Sequence, residues 1–230
     1  MSRAFQRLDN GSKGKTLAYT RELEKIERRQ PPRFDLIAGN VCLDFVNTLD
    51  DRHTPQPKEL LKTYIDLARF GEDTGVLRQT QVDALFERSY TNEEAAQESL
   101  LRARELRETI HDVFWAVINK RPVPPLALAN LNNFAQAAAW HMRVIPVKNG
   151  FAWAFDNLLD FDTVLWPIAR AATDLLTSDQ LYYVRTCSSK ACEWFFLDTS
   201  KNHHRRWCDM TRCGNRAKVR RFYARQKKQR

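Results

Sequence analysis

The chain has 230 residues, of which 43% are hydrophobic, and a net charge of +9. This composition excludes a mostly disordered chain, and the length allows one or two domains with a real hydrophobic core. No apolar run approaches the roughly 20 residues that a membrane helix needs, so we expect no membrane partner. The first residues lack the apolar core of a secretory signal. We therefore expect a cytoplasmic protein.

The positive charge is concentrated at the two ends of the chain. Residues 185–230 contain fourteen lysines and arginines against three acidic residues, and residues 1–33 contain nine against four. Residues 34–184 are acidic, with fourteen lysines and arginines against twenty-one acidic residues. This pattern predicts an acidic globular body with a basic module, and a basic module attracts polyanions such as nucleic acid. A solvated tail without a partner is the alternative.

The predicted fold class is mainly α. Residues 1–33 are polar and are expected to form a basic, partly disordered extension, whereas residues 34–178 are expected to form a helical domain. Apolar residues three and four positions apart, together with turn residues, predict helices over 60–70, 79–90, 93–120, 126–142 and 161–177. An alternating segment around Asn149-Gly150 predicts a small β-hairpin. Residues 183–230 are expected to form a small module of short strands and a basic helix.

Four of the five cysteines lie in one segment near the end of the chain. Cys187, Cys192, Cys208 and Cys213 follow the spacing C-x4-C-x15-C-x4-C. Two pairs of thiols on tight loops can supply the four corners of a zinc tetrahedron. Cytoplasmic thiols stay reduced, which argues against a disulfide framework. We therefore predict that these cysteines bind Zn²⁺, with an iron–sulfur cluster or four unligated thiols as the alternatives.

A basic helix is predicted to begin near Cys213. Its apolar stripe of Val219, Phe222 and Tyr223 is expected to pack on the zinc core. The cationic side chains around the stripe suit contacts to phosphates and base edges. RNA is an alternative polymer, because a basic helix does not distinguish the two. The predicted DNA contacts are Arg205, Arg206, Arg212, Arg216, Lys218, Arg220, Arg221 and Arg225.

The segment FLDTSKNHHRRWCDMTRCGNRAKVRRFYAR resembles the CGNR zinc finger, which is named for Cys213-Gly214-Asn215-Arg216. The segment AGNVCLDFVNTLDDR, followed by LLKTYIDLARFGEDTGVL, is similar to the ABATE domain that commonly precedes this finger. Proteins of this two-domain type are described as bacterial, stress-responsive transcription regulators. The resemblance implies DNA binding by the finger and sensing of a small-molecule effector by the helical body.

Polar residues interrupt the apolar run CLDFVNTLDDR. On a helix, Asp44 would share one side with Asn47 or Thr48 and with Asp51 or Arg52. Convergent polar groups in an apolar cleft orient small ligands. We take Asp44, Asn47, Thr48 and Arg52 as a candidate effector site. Local capping and turn chemistry, with Asn47 and Thr48 bonding the backbone, is the alternative.

Together these patterns predict a zinc-dependent, DNA-binding transcription regulator. An enzyme is not expected, because four cysteines leave no open position on the metal and the sequence lacks H-E-x-x-H and G-x-S-x-G motifs. A protein- or RNA-interaction module with a purely structural zinc is the alternative function. The sequence leaves open the DNA target, the effector, the sign of regulation and the choice between a monomer and a homodimer.

Overall fold

The computed structural model describes residues 34–156 and 159–228, without the side chains of Arg225, Lys227 and Lys228. The predicted basic extension, residues 1–33, lies outside the described residues. Residues Leu36–Arg230 pack as one compact unit. The described part of the chain contains seven α-helices and three two-stranded antiparallel sheets. The predicted fold class, mainly α with a hairpin and a small C-terminal module, is confirmed.

The elements follow one another with short connections. The α-helices are α1 (Val41–Val46), α2 (Tyr64–Asp73), α3 (Gln79–Thr91), α4 (Glu93–Ile118), α5 (Pro125–Trp140), α6 (Leu165–Leu176) and α7 (Asn215–Lys228). The strands are β1 (Leu49–Asp50), β2 (Lys58–Glu59), β3 (Met142–Val147), β4 (Gly150–Phe155), β5 (Val184–Thr186) and β6 (Phe195–Leu197). Two 3₁₀ turns cover Phe161–Val164 and Asp179–Tyr183, and a π-helical turn covers Met210–Gly214.

Local capping explains where the helices begin. Helix α2 starts at Tyr64 and not at residue 60 as predicted, because Thr63 and Asp66 cap each other reciprocally. The Thr63 hydroxyl accepts from the Asp66 amide, and the Asp66 carboxylate accepts from the Thr63 amide at 2.9 Å. Helix α5 begins with Pro125, where the missing N–H costs nothing.

The core is built around the long helix α4. Its inward face carries side chains that are fully buried, namely Leu100, Ala103, Leu106, Ile110, Val113 and Phe114. This is the stripe that the three-and-four spacing predicts. Helices α1, α2, α3, α5 and α6 pack against it. None of the helices in the described ranges is long and apolar enough to cross a bilayer.

The predicted hairpin is present as β3 and β4. Val147 pairs with Gly150 across the turn, and the register continues to Met142 opposite Phe155. The smaller sheet of β5 and β6 pairs Val184 with Leu197. The Leu197 amide also donates to the Ala38 carbonyl at 2.7 Å. Strand β6 is therefore bonded to the beginning of the helical body.

Candidate metal centre and basic helix

Backbone hydrogen bonds hold the two cysteine loops together. The Cys187 amide donates to the Trp194 carbonyl at 2.8 Å, and the Cys192 amide donates to the Ser189 carbonyl at 2.8 Å. The Ser188 amide donates across to the Arg206 carbonyl, also at 2.8 Å, which joins the first loop to the second. The order of the chain therefore brings both cysteine pairs to one point.

The four sulfurs have the geometry of a tetrahedral metal site. Cys187, Cys192, Cys208 and Cys213 are buried, and their sulfur atoms all lie within 4.8 Å of one another. The sulfur of Cys208 is 3.6 Å from that of Cys192 and 3.8 Å from that of Cys213. Four sulfurs bound to one zinc ion at 2.3 Å lie about 3.8 Å apart. The cluster fits Zn²⁺, and none of its cysteines forms a disulfide.

The charges in the cluster also favour a divalent cation. Hydrogen bonds from the Cys192 and Cys208 thiols lower the pKa of Cys187. Hydrogen bonds to its neighbours raise the pKa of Cys208. One thiolate thus suppresses ionisation of the next, since like charges at this distance repel. A bound Zn²⁺ supplies the positive charge that lets all four sulfurs ionise.

A buried carboxylate organises the loop between the cysteine pairs. Asp198 is 1% exposed and accepts from the Ser200 hydroxyl at 2.6 Å and from the Arg205 amide at 2.8 Å. Burial acts to raise the pKa of Asp198, but these hydrogen bonds outweigh it and lower the pKa below its usual value. His203 stacks on Tyr183 with ring centroids 3.8 Å apart. The loop is therefore ordered by its own polar contacts as well as by the cysteines.

Helix α7 is attached directly to the metal centre. Asp209 caps the π-helical turn by accepting from the Arg212 amide at 2.7 Å and the Thr211 hydroxyl at 2.6 Å. Cys213 lies inside this turn, and α7 begins two residues later at Asn215. A metal ion bound by Cys213 would therefore fix the start and direction of α7.

The predicted DNA contacts differ in how free their side chains are. Arg205 donates to the carbonyls of Trp207 and Cys208 and lies over the Phe196 ring. Arg216 lies 3.3 Å from the Cys213 sulfur, and this hydrogen bond raises its pKa. Arg220 donates to the Ser189 hydroxyl at 3.3 Å.

The other predicted DNA contacts reach the surface. Arg206, Arg212, Lys218 and Arg221 are exposed. Arg206 lies over the Trp207 ring and Arg212 over the Trp194 ring. The side chain of Arg225 lies outside the described part of the chain. Lys218 and Arg221 thus join Arg216 and Arg220, which are also exposed although they bond to the finger, as the cations that α7 presents.

The expected packing of α7 on the zinc core is wrong. Val219, Phe222 and Tyr223 are 54%, 58% and 64% exposed. The finger already buries its apolar side chains, Trp194 and Phe195–Leu197, and α7 extends from the π-helical turn with little else beneath it. Its apolar stripe therefore faces solvent together with its cations.

Two family models match the chain. Residues 39–179 match the ABATE model, described as "Putative stress-induced transcription regulator". The chain belongs to the ABATE family. Residues 183–226 match the model of the CGNR zinc finger. This match confirms the resemblance of the C-terminal segment to that finger and agrees with zinc as the bound metal. Neither is a family of enzymes, and no curated protein matches the chain significantly.

The polar residues proposed as an effector site in the ABATE domain bond to other parts of the chain. Asp44 accepts from the Ala38 amide at 2.9 Å. The Thr48 hydroxyl donates to the Phe45 carbonyl at 2.7 Å. Arg52 forms a two-pronged ion pair with Glu108. No ligand is needed to satisfy these side chains, and their role in effector binding stays a prediction.

The fourth residue of that group, Asn47, joins the ABATE domain to the finger. Its amide nitrogen donates to the Phe195 carbonyl at 2.9 Å, and its oxygen accepts from the Phe195 amide at 3.0 Å. Asn47 is 5% exposed and stands at the C-terminus of α1. Asn47 thus bonds to β6 as a neighbouring strand would. The residue that it bonds, Phe195, follows the predicted metal ligand Cys192 by three positions.

Sequence reasoning missed the other contacts of this junction. The Trp194 indole donates to Asp50 at 2.8 Å, and Nε2 of His53 lies 2.7 Å from the Glu193 carboxylate. His111 of α4 stacks on Phe195 at 5.4 Å between centroids. One feature of the sequence could have indicated these contacts. The run Trp194–Leu197 is entirely apolar, and a finger of this size is too small to bury it without a neighbouring domain.

Cavities in the ABATE domain and at its junction with the finger differ greatly in size. The one that touches Asn47 and Arg52 holds about 10 Å³, roughly one water molecule. Another, of about 280 Å³, lies among α4, α5 and α6 and is lined by Arg102, Phe134 and Trp166. Asp162 also lines it, with one oxygen bonded to Arg102 at 2.8 Å and the other buried without a partner among the described residues.

Proposed function

We propose that this protein is a cytoplasmic, zinc-dependent transcription regulator whose finger binds DNA through α7. The observation that carries the proposal is the attachment of α7 to Cys213, which combines a metal-fixed direction with exposed cations. A rigid basic helix on a small metal module suits insertion into the major groove. The description of the ABATE family as a transcription regulator supports the same reading.

The contacts of each cationic side chain suggest which role it has in DNA binding. Lys218 and Arg221 are exposed and would contact phosphates, which supplies most of the affinity without sequence preference. Asn215 and Arg216 stand in the first turn, where recognition helices usually approach base edges. Arg205 would act by holding the second cysteine loop in place, because its guanidinium bonds to backbone carbonyls.

We propose further that the ABATE domain senses a small effector. The cavity of about 280 Å³ among α4, α5 and α6 is the better supported site. Its aromatic walls, Phe134 and Trp166, would cover an apolar body, and Arg102, whose side chain is 41% exposed, would bind a polar group of the ligand. The smaller cavity beside Asn47 and Arg52 has no room for a ligand of that size.

DNA binding can be tested by titrating labelled duplex at several salt concentrations. We expect affinity to fall steeply with salt, because each phosphate contact releases counterions. Replacing Lys218 and Arg221 by alanine together should lower the salt slope by about 2, or about 1 for each lost phosphate contact. Lys62→Ala removes an exposed lysine of the ABATE domain and serves as the control.

The alternatives predict other outcomes. Absence of duplex binding at every salt concentration, or equal slopes for the α7 variant and the control, would contradict the proposal. Tighter binding of RNA than of duplex DNA would point to an RNA-interaction module. If promoter fragments bind no better than random duplex or heparin, the basic helix acts only as a polyanion-binding surface.

A further inference from the structure

The β3–β4 hairpin exposes an unusual amount of apolar surface. Phe151 and Trp153 are 77% and 66% exposed, and Trp140, directly before the hairpin, is 77% exposed. Val144, Ile145 and Val147 are about half exposed. Single exposed apolar residues are normal on a surface, whereas a contiguous group of this kind marks an interaction site.

The register places the large rings on one face. Trp153 stands opposite Val144, and Phe151 stands opposite Pro146. Directly paired residues share a face of the sheet, and residues two apart share it as well. This face of the hairpin therefore carries both rings together with Val144 and Pro146.

Among the described residues, no strand pairs with the outer edge of β4, so this edge can accept another strand. The Asp156 amide donates to the His141 carbonyl at 2.8 Å, so this pair is hydrogen-bonded. Bonded and non-bonded pairs alternate along an antiparallel ladder. Phe151, Trp153 and Phe155 are thus in non-bonded pairs, and their backbone N–H and C=O groups point outward from β4.

The opposite edge is less suited to pairing. Pro146 is also in a non-bonded pair, so the outer edge of β3 lacks a donor at its centre. Strand β4 contains no proline and no charged residue in the segment GFAWAF. Edge strands usually carry such residues to prevent association. Strand β4 lacks these protections.

The charges suit a partner with the same surface. Residues 142–155 contain only two charged side chains, Arg143 and Lys148. Arg143 is neutralised by Asp156 at 3.1 Å, and Lys148 lies in the turn beyond the strands. Two copies of the hairpin can therefore meet without like charges at the centre of the contact.

The exposed apolar area suits a small dimer contact. Trp140, Phe151 and Trp153 together expose about 400 Å² of apolar surface. A standard interface takes about 800 Å² from each partner. Pairing at the β4 edge buries the part of this surface where rings of the two copies meet, so we expect a contact smaller than the standard interface and therefore reversible.

We propose that a second copy of this chain binds at the hairpin. The two β4 strands pair antiparallel across a two-fold axis near Trp153 and form a four-stranded sheet, on one face of which the two Trp153 rings pack side by side and each Phe151 ring packs beside Phe155 of the other copy. A two-fold contact of this kind is closed and self-complementary. The proposal does not depend on DNA binding, because none of its residues lies in the finger.

Sedimentation of the zinc-loaded full chain at increasing concentration tests the proposal. We expect a reversible dimer, and we expect Trp153→Lys to raise its dissociation constant at least about thirtyfold. The substituted side chain is mostly exposed, so the melting temperature of the monomer should not change. Tyr182→Lys, which replaces a 77% exposed aromatic residue outside the hairpin, is the control and should leave the dimer intact.

Hydrogen exchange distinguishes strand pairing from simple side-chain contact. The amides of Phe151, Trp153 and Phe155 should exchange more slowly at concentrations where the dimer forms. A chain that stays monomeric, a dimer insensitive to Trp153→Lys, or a dimer without slower exchange at these amides overturns the proposal. A monomer that sediments with phosphatidylcholine vesicles through the hairpin would identify a lipid as the occupant and equally overturn it.

Discussion

At the scale of single residues, Asp44 shows how burial changes a side chain's chemistry. The carboxyl group is 9% exposed near the start of α1, and burial raises its pKa to about 6 although a backbone hydrogen bond from Ala38 opposes the shift. The folded chain therefore binds a proton at Asp44 more tightly than the unfolded chain. Between about pH 4 and pH 6, the unfolding free energy should fall as the pH rises.

Asp44→Asn should remove this part of the pH dependence. The asparagine oxygen can accept from Ala38 as before but carries no charge at any pH. We expect the variant to match the parent near pH 4 and to exceed it by about 1–3 kcal/mol at pH 7. Urea unfolding across this pH range measures the effect. Asp179→Asn, at an exposed aspartate, is the control, and equal pH slopes for parent and Asp44→Asn would contradict the account.

At the scale of elements, the pairing of α1 with β6 through Asn47 is the main junction between helical body and finger. One side chain satisfies both the amide and the carbonyl of Phe195 in a buried position. An unsatisfied buried backbone group costs about 1–3 kcal/mol. Asn47 is therefore the side chain that satisfies Phe195, alongside the Trp194–Asp50 and Leu197–Ala38 hydrogen bonds of the same junction.

Asn47→Ala should lower the unfolding free energy by about 2–4 kcal/mol, since it leaves two buried backbone groups of Phe195 unpaired. It should also speed the loss of zinc to a competing chelator, because Phe195 follows Cys192 by three residues. Urea unfolding and chelator competition measure the two effects. Asn132→Ala changes an exposed asparagine of α5 and should shift stability by less than about 0.5 kcal/mol. If both variants behave alike, Asn47 does not hold the junction.

At the scale of the whole molecule, metal binding should stabilise more than the finger. Trp194, Phe195, Phe196 and Leu197 are buried, and β6 is bonded to the helical body through Ala38 and Asn47. A finger that unfolds on losing its metal would withdraw these side chains from the body. The two parts should therefore lose stability together.

Removal of zinc by a strong chelator under reducing conditions should lower the unfolding free energy of the full chain by about 5 kcal/mol or more. Thermal melts with and without chelator measure the change. Cys208→Ala should bind no zinc, whereas Cys42→Ala, at a buried cysteine outside the cluster, should retain one ion per chain. A chain that melts at the same temperature without metal would show that the cysteines are not a structural zinc site.

Much of this protein can be predicted from its sequence, because the decisive signals are local. The cysteine spacing indicates the metal site, the alternation around Asn149-Gly150 indicates the hairpin, and the repeat of apolar residues along α4 indicates the core. Helix ends were predicted less well where capping decides them, as at Thr63.

The tertiary structure alone decided what polar and apolar side chains face. Asn47 could equally have met a ligand or the backbone, and the strand that it bonds lies 148 positions away in the chain. The spacing of Val219 and Phe222 is typical of a helix that packs on a core, yet both side chains are exposed. The apolar surface of the finger that could have received them is already buried against the ABATE domain. Periodicity determines which residues share a face, whereas the partner of that face depends on where distant segments of the chain come together.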